Sequence, residues 1–144
     1  MPLFILLLTA WLAVGGKPTT AIKVDQVGYL PGAPKVAIVV ADHSATEFRV
    51  RRASDDGVAF RGNLSARVED LDSGDQAQAA DFTKLDESGT YYIEVAGVGR
   101  SWNFRINPNV YARTFYLAMR SFYGQRCGTA VDLGSEFPGY AHPP

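Results

Sequence analysis

Residues 90–106 read TYYIEVAGVGRSWNFRI. Their period is two: Tyr91, Ile93 and Val95 fall on one side of an extended chain, because successive strand side chains point to opposite faces. After Gly97-Val98-Gly99, which offers the backbone freedom of a hairpin, Trp102, Phe104 and Ile106 line one side of a second strand. Trp102 is therefore expected in the core, with Phe104, rather than on a surface.

The pattern continues toward the N-terminus. EFRVRR (47–52) sets Phe48 and Val50 against Arg49 and Arg51, a half-exposed strand. Ser54-Asp55-Asp56-Gly57 is hairpin chemistry, its Asp-Gly supplying a positive φ, and VAFRG (58–62) and LSARVE (64–69) come next as partner strands. AIKVDQVGYL (21–30) reads as a first strand that turns at Pro31-Gly32. KVAIVV (35–40) reads as a short strand buried on both sides. Residues 70–80 are polar and Gly-containing, which predicts a loop, and a second loop is expected around Asp86-Glu87-Ser88-Gly89. About seven strands between residues 22 and 106, with turn signals and no βαβ alternation, predict an all-β, immunoglobulin-like sandwich.

At Asn107-Pro108 the period changes. Asn107 as N-cap, Pro108 at the first helical position, and Tyr111, Phe115, Ala118, Met119 and Phe122 at helix-face spacing predict a C-terminal α-helix of about four turns. It ends near Gly124 or Gly128, and VDLGSEFPGYAHPP (131–144) reads as loop. A sandwich closes its core between its own sheets, so the aromatic face of this helix needs another partner. Either the helix folds back onto the sandwich, or it belongs to a second domain.

Composition narrows the function classes. The chain has 47% hydrophobic and 20% charged residues, as in an ordinary globular domain. With 14 Lys+Arg against 15 Asp+Glu, no field of one sign directs it to nucleic acid or to an anionic membrane. The apolar run Leu3–Val14, with small residues after it, suits a secretory signal peptide over residues 1–21 with cleavage near Gly15 or Ala21, and is too short to span a bilayer. The mature chain is then secreted or periplasmic. Cys127 is the sole cysteine, so no intrachain disulfide forms; it is a buried core residue, half of an intermolecular bridge, or one ligand of a metal site completed elsewhere.

Asp25-Gln26-Val27-Gly28-Tyr29, Ser73-Gly74-Asp75, Gly89-Thr90-Tyr91-Tyr92 and Gln125-Arg126-Cys127-Gly128 occur in that order. Together they resemble the N-terminal immunoglobulin-like domain and domain junction of family 9 glycoside hydrolases, the cellulase D type. The resemblance implies a sandwich over 22–106. It also implies that 107–144 is the first helix and loop of an all-helical catalytic barrel that this chain cuts short. That barrel domain would be the partner, and β-glucan the substrate only through it. The family hydrolyses β-1,4-glucans with inversion; none of its catalytic carboxylates can be assigned here, so the chain alone is expected to be inactive. Cys127 resembles one ligand of a structural zinc in the zinc-bearing members, with no cofactor held by this chain itself.

Asp72-Ser73-Gly74-Asp75 has the Asp-x-Gly-Asp shape of a catalytic pair, but it lies in a sandwich loop, where aspartates close turns. Inversion needs two carboxyls about 6.5–9.5 Å apart across a cleft. Asn63-Leu64-Ser65 fits a glycosylation sequon. A free-standing carbohydrate-binding module is the alternative function; it requires an exposed aromatic platform.

Overall fold

The computed structural model describes residues 17–143. The apolar segment read as a signal peptide lies, for residues 1–16, outside the described residues. Two antiparallel sheets face each other. The first has the order β1-β2-β6-β5, from Ile22–Lys23, Val36–Val40, Gln76–Asp81 and Val68–Glu69. The second runs β4-β3-β7-β8, from Val58–Asn63, Glu47–Arg52, Gly89–Val95 and Gly99–Arg100, with β9 (Phe104–Ile106) also on β7. Between them lies the core: Ile22, Ala37, Val39, Ala80 and Phe82 meet Phe48, Val50, Tyr91, Ile93, Val95, Phe104 and Ile106, all nearly inaccessible. This is the expected sandwich, and its strands alternate as the period of two requires.

Several local expectations are corrected. KVAIVV is buried on one side only: Ala37 and Val39 face the core, while Val36 and Ile38 are 42% and 39% exposed. The expected loop 70–80 is a loop only in its first half, because Gln76–Asp81 forms the central strand β6 between β2 and β5. Its Ala and Gln residues carry little strand propensity. What selects them is space and pairing: Ala80 is wholly buried, and the Gln78 amide donates to Ala45 O and Ser65 O and accepts from Ala45 N. VAFRG and LSARVE do not pair with each other. Strand β4 joins β3, and β5 joins β6 in the opposite sheet. In the 54–57 turn, the positive φ falls on Asp56 rather than Gly57.

The strand after the 97–99 hairpin carries a bulge, and the bulge moves Trp102. On β7, Glu94 faces Arg100, but Tyr91 faces Phe104, so the second strand holds one extra residue between these pairs. Ser101 sits at the break, fully buried, accepting from Ile93 N through its hydroxyl and donating to Trp102 O. One added residue shifts the parity of a strand, and with it the face each side chain takes. Phe104 and Ile106 still point inward, and Trp102, expected in the core, is 41% exposed.

The sandwich also uses residues before 22. Pro18 bridges to Arg100, Thr19 N donates to Arg100 O, and Val40 N donates to Ala21 O. The helix starts later than the sequence suggests. Asn107 Oδ1 accepts from Asn109 N and Asn107 O from Val110 N, so 107–111 are turns, and α1 runs Ala112–Gly124 with Tyr111 at its N-cap. The C-terminal stretch is more ordered than a loop: Val131–Asp132 (β10) pairs with Ala141–His142 (β11) around a 3-10 turn at Gly134–Glu136. Among the described residues, no helix is long and apolar enough to cross a membrane.

One cation is completely enclosed. Lys35 has no accessible surface; its Nζ lies 2.9 Å from Ala33 O, 3.5 Å from Leu30 O and 2.9 Å from Asp86 Oδ1. Asp86 also accepts from Gly32 N, and that bond first, then the Lys35 ammonium, holds its carboxyl below the ordinary aspartate range. A depressed folded-state pKa contributes stability above the unfolded value and loses it as pH falls through the folded one. The melting temperature should therefore fall on acidification through the carboxylate range. Asp86→Asn should lower it at neutral pH and flatten that acid slope; an unchanged slope in thermal melts would contradict the assignment.

Candidate functional site

The sequence points to the junction between sandwich and helix, and there the motif Asp25-Gln26-Val27-Gly28-Tyr29 becomes geometry. Asp25 Oδ1 accepts from Val27 N at 2.9 Å and folds the segment into a tight bend. Gly28 adopts φ +117°, and a Cβ there would lie 2.4 Å from Arg105 O and 2.5 Å from Val110 Cγ2. Only glycine fits at that angle and that closeness. Tyr29 then enters the core edge-on to Phe82 and Phe104, with centroids 5.1 and 5.3 Å away. Its hydroxyl donates to Val36 O and accepts from Asp25 N, and burial pushes its pKa up.

The same bend receives the helix. Tyr29 N donates to Arg105 O and Asn107 N to Tyr29 O, so the linker leaves β9 alongside Tyr29. Val110 is buried under Gly28, and the Tyr111 hydroxyl donates to Gly28 O at 3.0 Å, with Asp25 Oδ2 at 3.4 Å. Burial, and then the Asp25 carboxylate, raise the Tyr111 pKa. No residue pattern announces this contact, because its partners lie far apart in sequence.

Beyond Tyr111 the helix has two unlike sides. One is clasped by the returning segment 131–142. Glu136 accepts from the Tyr116 hydroxyl, which does most to hold its carboxyl low, and from Arg113, and Arg120 donates to Leu133 O at 2.7 Å. A cavity of about 240 Å³ remains between them, lined by Leu117, Arg120, Ser121, Leu133, Phe137 and Tyr140. The other side carries the aromatic stripe. Phe115, Met119 and Phe122 are 67%, 51% and 69% exposed, and Tyr111 and Tyr123 are each 40% exposed. The first three recur at i, i+4 and i+7, one continuous face opposite the clasp. The helix thus folds onto its own C-terminal segment and leaves its apolar face in water.

The other residues singled out by sequence lie apart. Cys127 is exposed in the turn after α1. Among the described residues, no group of three or more His, Cys, Asp or Glu is placed to hold a metal ion. A closed structural zinc site takes four ligands, so the residues present do not make one. His142 presents Nδ1 to Pro143 O and Nε2 to Gly124 O; these carbonyls favour the cation and raise its pKa. In the 70–75 loop, Asp70 accepts from Asp72 N and the Ser73 hydroxyl, and Asp70 N donates to Asp75 O, the bonding of a closed turn. Asp75 Oδ2 lies 3.9 Å from Lys23 Nζ. Asn63 is exposed at the end of β4.

The cellulase N-terminal Ig-like domain matches residues 17–100. Endoglucanase D of Acetivibrio thermocellus is 36% identical over 123 residues, a match covering 85% of this chain and 19% of that protein. A cellodextrinase of Butyrivibrio fibrisolvens is 37% identical over 124 residues, covering 85% of this chain and 22% of the relative. Among solved structures, a metagenome-derived glycoside hydrolase family 9 endoglucanase superposes with a TM-score of 0.66 at 36% identity, covering 85% of this chain and 24% of that one. The chain therefore spans about a fifth of the length of these curated relatives. With the sandwich, the junction motif and the matched residues in agreement, the chain belongs to the family of cellulase N-terminal immunoglobulin-like domains.

Proposed function

We propose that this chain is the non-catalytic N-terminal module of an exported cellulase-type glycoside hydrolase, and that it packs against the helical catalytic domain of a parent enzyme through the aromatic face of α1. The observation that carries the reading is the stripe Phe115, Met119 and Phe122, exposed on a helix whose other side is already clasped. Burying each such side chain is worth about 1.5–3 kcal/mol, so a face of this kind is stable against a partner and costly in water. The junction supports the same role. Buried Val110 and the Tyr111 bond to Gly28 O fix where the helix leaves the sandwich, so a domain built on that helix would be held at a defined angle.

Residues 107–144 are, on this reading, the first helix and loop of the catalytic domain, and β-glucan is met only through that domain. Cys127, exposed just past the helix, would supply one thiolate of a structural zinc site whose other ligands come from the rest of the parent. The apolar run 3–14 serves as the export signal, which makes the mature protein secreted or periplasmic.

Two measurements test the reading. The isolated chain should self-associate with rising concentration in light scattering. Phe115→Ser with Phe122→Ser should render it monomeric and leave the melting temperature of the sandwich unchanged, since both side chains are exposed; a wild-type chain that stays monomeric at high concentration would contradict the docking face. Reducing-sugar assays on carboxymethyl cellulose or mixed-linkage β-glucan should show no release by the isolated chain, and turnover there would overturn the non-catalytic role.

Removing the freedom of the junction glycine gives a third test. Gly28→Ala sets a side chain against the Arg105 carbonyl at a φ foreign to L-residues. It should lower the melting temperature by about 10 °C. A neutral result would show that the bend tolerates a Cβ.

A further inference from the structure

The outer face of the second sheet collects guanidinium groups. Antiparallel register sets Arg61 opposite Arg49, Arg49 opposite Glu94, and Glu94 opposite Arg100, one row crossing four strands. Arg51 lies in the next row, opposite Tyr92, and Arg105 projects outward between buried Phe104 and Ile106. The cations of this face are all arginine, in a chain whose formal net charge is -1.

Internal pairing leaves a positive excess. Glu94 is taken by Arg51 at 2.7 Å, while Asp56, which accepts from the Tyr92 hydroxyl, and Glu47, on the outward side of β3, keep their charge; Arg49, Arg51, Arg61, Arg100 and Arg105 still outnumber these three carboxylates. Arg49 already has a partner. Among the described residues, Arg61 and Arg105 make no ion pair, and Arg100 stacks on Tyr92 at 4.6 Å with its Nε buried and without a hydrogen-bond partner. Arg61 stands directly opposite Arg49, and like charges so placed repel unless other groups offset them. Trp102 is 41% exposed, and counted with a period of two from Arg100, which pairs with outward Glu94, it falls on this same side of the sheet.

We propose that this face binds a carboxylate-bearing polysaccharide, with Trp102 stacking on a sugar ring and Arg61, Arg100 and Arg105 taking uronate carboxylates. Guanidinium forks match planar carboxylates in two parallel bonds, which an ammonium cannot do, and they also stack on rings. An exposed indole beside them suits the flat C–H face of a pyranose better than the irregular surface of an acidic protein. A nucleic acid would offer charge and stacking too, and the chain's net charge of -1 separates neither polyanion from the other, so binding of a nucleic acid is one outcome of the test below. That the anion is a glycan rests on membership of a cellulase-domain family; the face itself is separate from α1, so this proposal and the docking role fail independently.

The test is affinity electrophoresis of the full chain in native gels containing polygalacturonate, hydroxyethyl cellulose, poly-L-glutamate or oligo-thymidylate. Retardation by polygalacturonate alone is expected. Arg61→Gln with Arg105→Gln should weaken it about tenfold, as loss of charged hydrogen bonds implies. Trp102→Ala should do the same and Trp102→Phe should recover part of the binding. Should the glutamine variant prove unstable, Arg61→Lys with Arg105→Lys keeps the charge, loses the fork, and should still bind more weakly. Equal retardation by poly-L-glutamate or oligo-thymidylate, retardation by hydroxyethyl cellulose, indifference to these substitutions, or no retardation at all would each overturn the proposal.

Discussion

The structure depends on the way Tyr29 crosses from one sheet to the other. Ile22 and Lys23 pair with β2 in the first sheet, and within a few residues Tyr29 lies beside Ile106 in the second. Such a crossing exposes backbone groups where both sheets need theirs satisfied. Tyr29 resolves this with its own atoms: its amide and carbonyl bond Arg105 and Asn107, its ring packs edge-on between Phe82 and Phe104, and its hydroxyl returns to Val36 in the first sheet. Gly28 makes the approach possible by having no Cβ to collide with the Arg105 carbonyl. The linker to α1 leaves from the same place, so one bend closes the sandwich and aims the helix.

The motif that marks the family in sequence is thus a structural device. Asp25 holds the bend, Gly28 permits it and Tyr29 fills the core, which leaves no free acid, base or nucleophile among them. This accounts for a sequence signal that is specific yet carries no catalytic chemistry. The 70–75 loop behaves alike: the Asp70 carboxylate and the Ser73 hydroxyl close a turn, and the Asp75 carboxylate lies near Lys23.

Strand periodicity makes the sandwich legible, because a period of two in TYYIEVA or EFRVRR has no other stable reading beside its turn residues. It fails where a single residue alters parity. Ser101 is small enough to be buried at a bulge and polar enough to replace a ladder bond, and nothing in RSWNFRI separates that from a regular strand; periodicity puts Trp102 on the wrong face for this reason. Strand β6 escapes the pattern because its alanines record a space limit instead of a propensity. The aromatic face of α1 is visible from spacing alone, but its opposite side is not. The pairs Arg113 with Glu136 and Arg120 with Leu133 join residues separated by a turn and a short ladder, and local patterns do not encode such contacts.

The two surfaces left over differ in the physics they use. The stripe on α1 is apolar, and contacts of that kind are hardly weakened by salt, so it suits a permanent neighbour. The arginine face of the second sheet is charged and wet, and its contacts are screened over about 8 Å at physiological ionic strength, which suits reversible encounter. In the role proposed above, as a module joined to a larger enzyme, the chain would have use for both. The sandwich gives each a rigid support: its core is closed without α1, so the helix is free to bind elsewhere, and the outer arginines stand on a sheet whose inward side chains Phe48, Val50, Ile93 and Phe104 are fully packed. With the backbone beneath them already fixed, binding costs the arginines their side-chain freedom alone, about 0.5–1.5 kcal/mol for each one immobilised.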